Sequence, residues 1–245
     1  MRWYRSSSAK SRSEQSNGWY KSAMRILLVT LLPIVVVPAY GSIIMFSGEV
    51  NVLPSPPAAI LYGASNSTIY GFAEQQGVLL TSNLNVGITS PGTWICCSGI
   101  PGGTIDAGTT VNSYLLYASP TSDITGANFT DFTGSITFSP GEKIVGVIIT
   151  YQQLSATDTL LGSPTTTYPP LSDVKQGLEQ FDVVSIGNGD ETLHVNFHIA
   201  AGNVDMIRIL TTTPEPAGFM LLGSGLIALA LCRKRLRFGR AGRQD

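Results

Sequence analysis

The chain has 245 residues, 43% hydrophobic and 13% charged, with a formal net charge of -1, a composition that suits one globular domain plus targeting segments. Its charge is uneven: six basic residues stand against Glu14 up to Arg25, six against Asp245 after Leu231, and only Lys143, Lys175 and Arg208 against thirteen acidic residues between Ser42 and Thr213, or 3 minus 13 = -10 for that stretch. Phosphate backbones are held by Lys and Arg, so the acidic middle argues against nucleic acid as a partner.

At the N-terminus, residues 26–37 form a twelve-residue apolar core behind Arg25, ending at Pro38-Ala39-Tyr40-Gly41. Ala39 and Gly41 are the small residues of a cleavage site, which predicts a signal region over residues 1–41 with cleavage after Gly41. An uncleaved signal anchor is the alternative. Residues 1–23 are polar, Ser-rich and long for an n-region, whereas Met24-Arg25-Ile26 makes a conventional start, so translation is expected to begin at Met24.

Short runs rich in Val, Ile, Tyr, Phe and Thr follow, predicting strands at residues 43–52, 68–72, 78–88, 111–118, 135–138, 143–151, 182–186, 192–199 and 204–210. Turn residues separate them, among them Ser90-Pro91-Gly92, residues 99–103, Ser139-Pro140-Gly141 and Gly187-Asn188-Gly189-Asp190. Leu193, Val195, Phe197 and Ile199 alternate with His194, Asn196 and His198, the period of a half-buried strand, and Asn188-Gly189 before them signals a hairpin. Residues 152–161 and 172–180 are the two stretches that can be helical, each too short to form a layer. The pattern predicts an all-β fold over residues 42–210, an antiparallel β-sandwich of jelly-roll type with a barrel as second choice. A domain of this size buries about 70% of its unfolded surface and needs no disulfide or metal to fold.

Candidate sites within this domain are sparse. Cys96 and Cys97 are adjacent, leaving a strained vicinal disulfide, pairing with another chain, or two thiols in a loop. His194 and His198 lie about 13 Å apart along one strand face, too far for one zinc ion. Asp106, Asp123, Asp131, Asp158, Asp182 and Asp190 are scattered turn carboxylates, although Asn188 to Glu191 could supply oxygen ligands with another loop. No GxSxG, HExxH or GxxxxGK[ST] motif is present. The reading is therefore a non-enzymatic protein with no catalytic residues, no metal site and no cofactor. Two rivals stay open. A carbohydrate-binding module would use Trp94, Tyr114, Tyr117, Tyr151 and Tyr168 if their rings are exposed. An extracellular hydrolase would bring two carboxylates together in a cleft with raised pKa values.

The C-terminal segment carries the densest signal. Thr/Pro residues 211–216 contain Pro214-Glu215-Pro216, an extended spacer because proline lacks an amide proton and disfavours helix before it. Residues 217–232 are uncharged and apolar all round, a helix of about 24 Å and so a marginal membrane span. Residues 233–245 form a basic tail headed by Arg233, Lys234 and Arg235, which would stay cytoplasmic and leave the domain outside. The fold is thus expected to be flanked by an N-terminal signal helix and a C-terminal transmembrane helix.

These three C-terminal elements together resemble the PEP-CTERM sorting signal of bacteria that make exopolysaccharide. The resemblance implies export, a membrane-anchored precursor, and action of an exosortase-type protease at Pro214-Glu215-Pro216, with the mature domain in the envelope or outside the cell and exopolysaccharide as a further partner. The stretches at residues 71–78, 108–115, 144–148 and 166–169 are also similar to an ectodomain that recurs in PEP-CTERM-tagged proteins of unassigned activity. The second resemblance implies a single β domain and no particular chemistry, and the overall reading is an exported protein with a structural or adhesive role in the envelope or the exopolysaccharide matrix.

Overall fold

The computed structural model describes residues 43–96, 99–121, 129–170, 177–187 and 189–212. The signal region with Ala39 and Gly41, the start at Met24, Cys97, the Pro214 spacer, the tail helix and its basic cluster all lie outside these residues. The described strands are β1 (Ile43–Gly48), β2 (Val50–Val52), β3 (Ile69–Ala73), β4 (Val78–Leu79), β5 (Leu84–Val86), β6 (Gly92–Ile95), β7 (Gly103–Ile105), β8 (Thr110–Ala118), β9 (Phe129–Phe138), β10 (Lys143–Ile148), β11 (Val183–Ile186), β12 (Thr192–Ala200) and β13 (Asp205–Thr212). One helix, α1 (Tyr151–Leu161), joins β10 to the chain leading to β11.

The strands form a five-stranded sheet ordered β1-β9-β12-β11-β6, a six-stranded sheet in which β10-β13-β8-β3-β2 follow one another and β4 also pairs with β8, and the pair β5-β7. β12 keeps the alternation read from its sequence: Leu193, Val195, Phe197 and Ile199 are buried, and His194 is exposed. Those apolar side chains share one core with Tyr114, Leu116, Ile207 and Ile209 from the six-stranded sheet. β8 and β13 do not alternate because both of their faces are covered, and strands buried twice read as continuous apolar runs. Their second face, with Val111, Leu115, Tyr117, Met206 and Leu210, packs against Leu154 and Leu161 of α1 and Val86 and Ile105 of the β5-β7 pair.

Several expectations are corrected. Residues 43–52 are not one strand: Gly48 takes a positive φ of 68°, and the chain crosses from the five-stranded to the six-stranded sheet at Glu49. A Cβ at Gly48 would collide with Thr133 O, so the crossing requires glycine. Beyond it β2 pairs with β3 in parallel, so the fold is not wholly antiparallel. Residues 78–88 split into β4 and β5, and residues 135–138 are the end of a longer strand beginning at Phe129. The presumed turns at residues 90–92 and 99–103 run directly into β6 and β7, whose glycines hid them. β10 stops at Ile148 because Thr150 caps α1 through Gln153 N. Of residues 172–180, Gly177 forms a bridge to Thr150 and no helix appears over the described part.

Phe197 is fully buried, so Phe197→Ala should destabilise by about 3–5 kcal/mol, whereas His194→Ala should stay within about 0.5 kcal/mol of wild type. Urea unfolding of the two variants side by side measures the difference.

Candidate functional site

Two polar clusters interrupt the apolar layers. The first is centred on Arg208, a fully buried arginine in the middle of β13. Its Nε and Nη2 bind Glu74 Oε2 and Oε1 at 2.6 and 2.8 Å, and Nη2 also binds Asp158 Oδ1 at 2.8 Å. Nη1 donates to Leu154 O at 2.9 Å and to Thr157 Oγ1 at 2.6 Å, so the guanidinium holds α1 against the sheet. Burial works against the charge, but Glu74 and Asp158 outweigh it and hold the Arg208 pKa above its ordinary value. Tyr168 Oη donates to Glu74 Oε1 at 2.5 Å, and burial followed by the Glu74 charge pushes the phenol pKa up. Ser113 Oγ donates to Glu74 Oε2 at 2.7 Å. Glu74, Ser113 and Tyr168 thus bring three of the stretches at residues 71–78, 108–115 and 166–169 to one point. Every group there is engaged by another protein group, which is the arrangement of a structural tie.

The second cluster lies where β11 begins. Asp182 and Asp205 are both fully buried. Asp182 Oδ1 accepts His198 N at 2.6 Å, and its Oδ2 accepts the amide of Glu179. Asp182 O accepts Cys96 N at 2.8 Å, and Asp182 N donates to Glu179 O at 3.3 Å. Neither Asp205 oxygen receives a donor from another group, and its neighbour Asp182 is itself a carboxylate. Two such groups coexist in a dry interior when one proton lies between them. Burial first, then the charges of Asp182 and Glu179, push Asp205 well above the ordinary carboxylate range; burial also raises Asp182, against the pull of the His198 and Glu179 amides.

This buried pair pins the short segment that presents Phe181. Phe181 has φ 84°, a region that bulky residues avoid, yet the residue is 61% exposed. Such strain persists where surrounding bonds over-determine the backbone, as the bonds of Asp182 do here. Phe181 meets the His198 ring at 5.8 Å in an edge-type contact, and Phe129, 47% exposed, stacks on the same ring at 4.6 Å and 12°. His198 Nδ1 faces Asp131 Oδ1 at 2.6 Å; a carboxylate only accepts, so Nδ1 is the donor of this bond.

The sequence-predicted residues separate accordingly. His198 and Asp131 come together, and His194 stays apart on the exposed face. Asp158 joins Arg208, Asp182 joins Asp205, and Asp190 lies 4.0 Å from Lys143. Glu191 Oε1 accepts Gly141 N at 2.8 Å, a bond between two turns, and Asn188 lies outside the described residues. Asp123 lies outside the described residues. Among the described residues, no group of three His, Cys, Asp or Glu is placed to hold a metal ion. Cys96 is disulfide-bonded, which removes the two-thiol option; the other cysteines, Cys97 and Cys232, are outside the described residues. Tyr114 and Tyr117 are buried and Trp94 packs toward the core, so the aromatic set expected for carbohydrate does not form an exposed strip. Among the described residues, Asp182 and Asp205 form one carboxylate pair, sealed from solvent, and Glu74 and Asp158 form another that the Arg208 guanidinium engages. Phe129, Phe181, Glu74 and Asp205 carried no sequence signal. Arg208 did: a charge between Ile207 and Ile209 demands a buried carboxylate.

Among the described residues, no helix is long and apolar enough to cross a membrane, and the expected span at residues 217–232 lies beyond them. A folded domain whose last strand ends at Thr212 is followed at once by a sorting element: residues 212–235 match the family model described as the PEP-CTERM protein-sorting motif. The chain therefore carries a PEP-CTERM tag, and Pro214, Glu215, Pro216, Arg233, Lys234 and Arg235 all fall within it. The tag indicates an exported precursor that engages the membrane and the exosortase-type sorting system. Neither the curated proteins nor the solved structures yield a match to the chain.

Arg208→Met should destabilise by about 3–5 kcal/mol in chemical unfolding, because Glu74 is left charged and buried without its partner. For Asp205 the sign is worked from proton binding. Below the ordinary value of 3.8 both states hold the proton, and above it only the folded state keeps it, so stability falls as pH rises from there. Asp205→Asn cannot titrate. Its melting temperature should vary less than that of wild type between about pH 4 and pH 8, and should equal or exceed wild type at the alkaline end; parallel curves would contradict the shared proton.

Proposed function

We propose that this chain is an exported protein whose β domain has a structural or adhesive role in the cell envelope or the exopolysaccharide matrix. The carrying observation is the PEP-CTERM motif at residues 212–235, directly behind a folded acidic domain. In this reading the domain is a mostly antiparallel sandwich of jelly-roll type, with β2 and β3 as its parallel pair. A signal region ending at Gly41 delivers it across the membrane, and the helix at 217–232 holds it there with the basic tail inside. The exosortase-type protease then acts at Pro214-Glu215-Pro216. The count of -10 between Ser42 and Thr213 supports a domain that remains soluble once released. The role is non-enzymatic and needs no cofactor.

Mass spectrometry of the C-terminus of protein recovered from its host tests this. Wild type should yield a form lacking the residues after the Pro-Glu-Pro element, and the triple substitution Pro214→Ala, Glu215→Ala, Pro216→Ala should keep the tail through Asp245. An intact tail in every wild-type fraction would reduce the tag to a simple anchor.

A further inference from the structure

The outer face of the five-stranded sheet carries the strained Phe181, and its composition is specific. One register row crosses all five strands as Ser47, Ser135, His194, Ser185 and Thr93. Within it Ser47 and Ser135 share a hydrogen bond at 2.7 Å, and Thr93 and Ser185 one at 3.0 Å. Along β9 and β12 the same face continues through Thr133 and Asn196 to the Phe129-His198-Phe181 cluster, a path of roughly 20 Å from Ser135 to Phe129.

We propose that this face binds a neutral polysaccharide chain, with a pyranose ring stacking on the exposed rings of Phe129 and Phe181 and hydroxyls meeting His198 Nε2 and the Ser/Thr row. The observation behind it is an energetic mismatch. Phe181 holds a costly backbone angle and leaves its ring in water, so the folded domain gains little from it. An exposed aromatic kept at such a position is explained by a partner that stacks on it.

The chemistry of the face selects the partner. Aromatic faces attract the positive edges of C–H groups, and hydroxyls and imidazole exchange hydrogen bonds with other hydroxyls; a sugar ring presents both. Asp131, the carboxylate within the cluster, accepts from His198 Nδ1 and so fixes the orientation of the imidazole ring. The acidic domain repels anionic polymers. β9 pairs β12 along its whole length, and on the other side β11 pairs it as far as Asn196 while Asp182 takes the His198 amide, so a peptide strand does not find that amide free at the cluster. This site deepens the matrix-protein reading and rests on it, because a polysaccharide meets the domain only outside the cell.

The test uses the full chain purified in mild detergent and run by affinity electrophoresis in native gels containing a soluble β-glucan, a galactomannan, a polyuronate or polylysine. Wild type should be retarded by at least one of the two neutral polymers. Phe129→Ala and Phe181→Gly should each weaken retardation by about tenfold or more, a change of about 1.4 kcal/mol. Leu61→Ala, at an exposed position of another segment, should leave it unchanged. The melting temperature of Phe181→Gly should equal or exceed wild type, since glycine accepts the positive φ. Three outcomes would overturn the site: no retardation by either neutral polymer, retardation only by polyuronate or polylysine, or a Phe181→Gly variant that loses several degrees of melting temperature. None of them alters the C-terminal processing measured above, so the site and the sorting reading fail separately.

Discussion

A guanidinium sealed among apolar strands is tolerable when carboxylates are buried with it, and Arg208 gathers segments far apart in the chain to meet that condition. Glu74 follows β3, Leu154, Thr157 and Asp158 belong to α1, and Tyr168 comes from the chain beyond the helix. Removing a charge from water costs several kcal/mol even after relaxation, so the tie contributes selectivity more than net stability. β13 is apolar on both faces and would accept several registers on hydrophobicity alone. With Arg208 in its centre, only the register that delivers the guanidinium to Glu74 leaves no unpaired charge. The covering layer of α1 then has one place to sit.

The second buried cluster solves the opposite problem, because Asp182 and Asp205 have no cation between them. Their compatibility depends on a proton, and the reward is local order: Asp182 takes two backbone amides and fixes the residues on either side of Phe181. The strained angle at Phe181 is thus maintained from the inside, by groups that never reach the surface. Arg208 secures the covering layer of the six-stranded sheet, and Asp182 sets what the five-stranded sheet shows to solvent.

What the sequence made legible follows from how many faces of each strand are buried. β12 has one dry and one wet face, so its pattern of two was readable to within a residue. β8 and β13 are dry on both sides and could be read as strands but not oriented. β6 and β7 begin at Gly92 and Gly103, which carry turn signals, and glycine in an edge strand erases the distinction. The crossing at Gly48 was hidden for a related reason: β-forming residues flank Ser47-Gly48-Glu49 on both sides, and a Cβ at Gly48 would meet Thr133 and Gly134 from far along the chain. The site was less legible still. Asp131 and His198 meet across a register that only pairing fixes, and Phe129 and Phe181 are ordinary strand and loop aromatics until their exposure is known.

The end of β13 constrains how the tag can be handled. Thr211 is buried and donates to Glu142 Oε1 at 2.5 Å, and Thr212 pairs with Lys143 at the start of β10. The sorting motif begins at that same Thr212, and Pro214 is two residues on, at most about 7 Å of extended chain. Ile144 N bonds Asp190 O at 2.6 Å, and Gly141 N bonds Glu191, so the β9-β10 and β11-β12 turns both lie beside the last paired residue. In the proposed processing, a protease acting at Pro214-Glu215-Pro216 meets the chain two to four residues beyond the last described strand residue. The rim is kept rigid by the bonds of Glu142 and Glu191, which makes the folded state of the domain part of what the sorting machinery encounters.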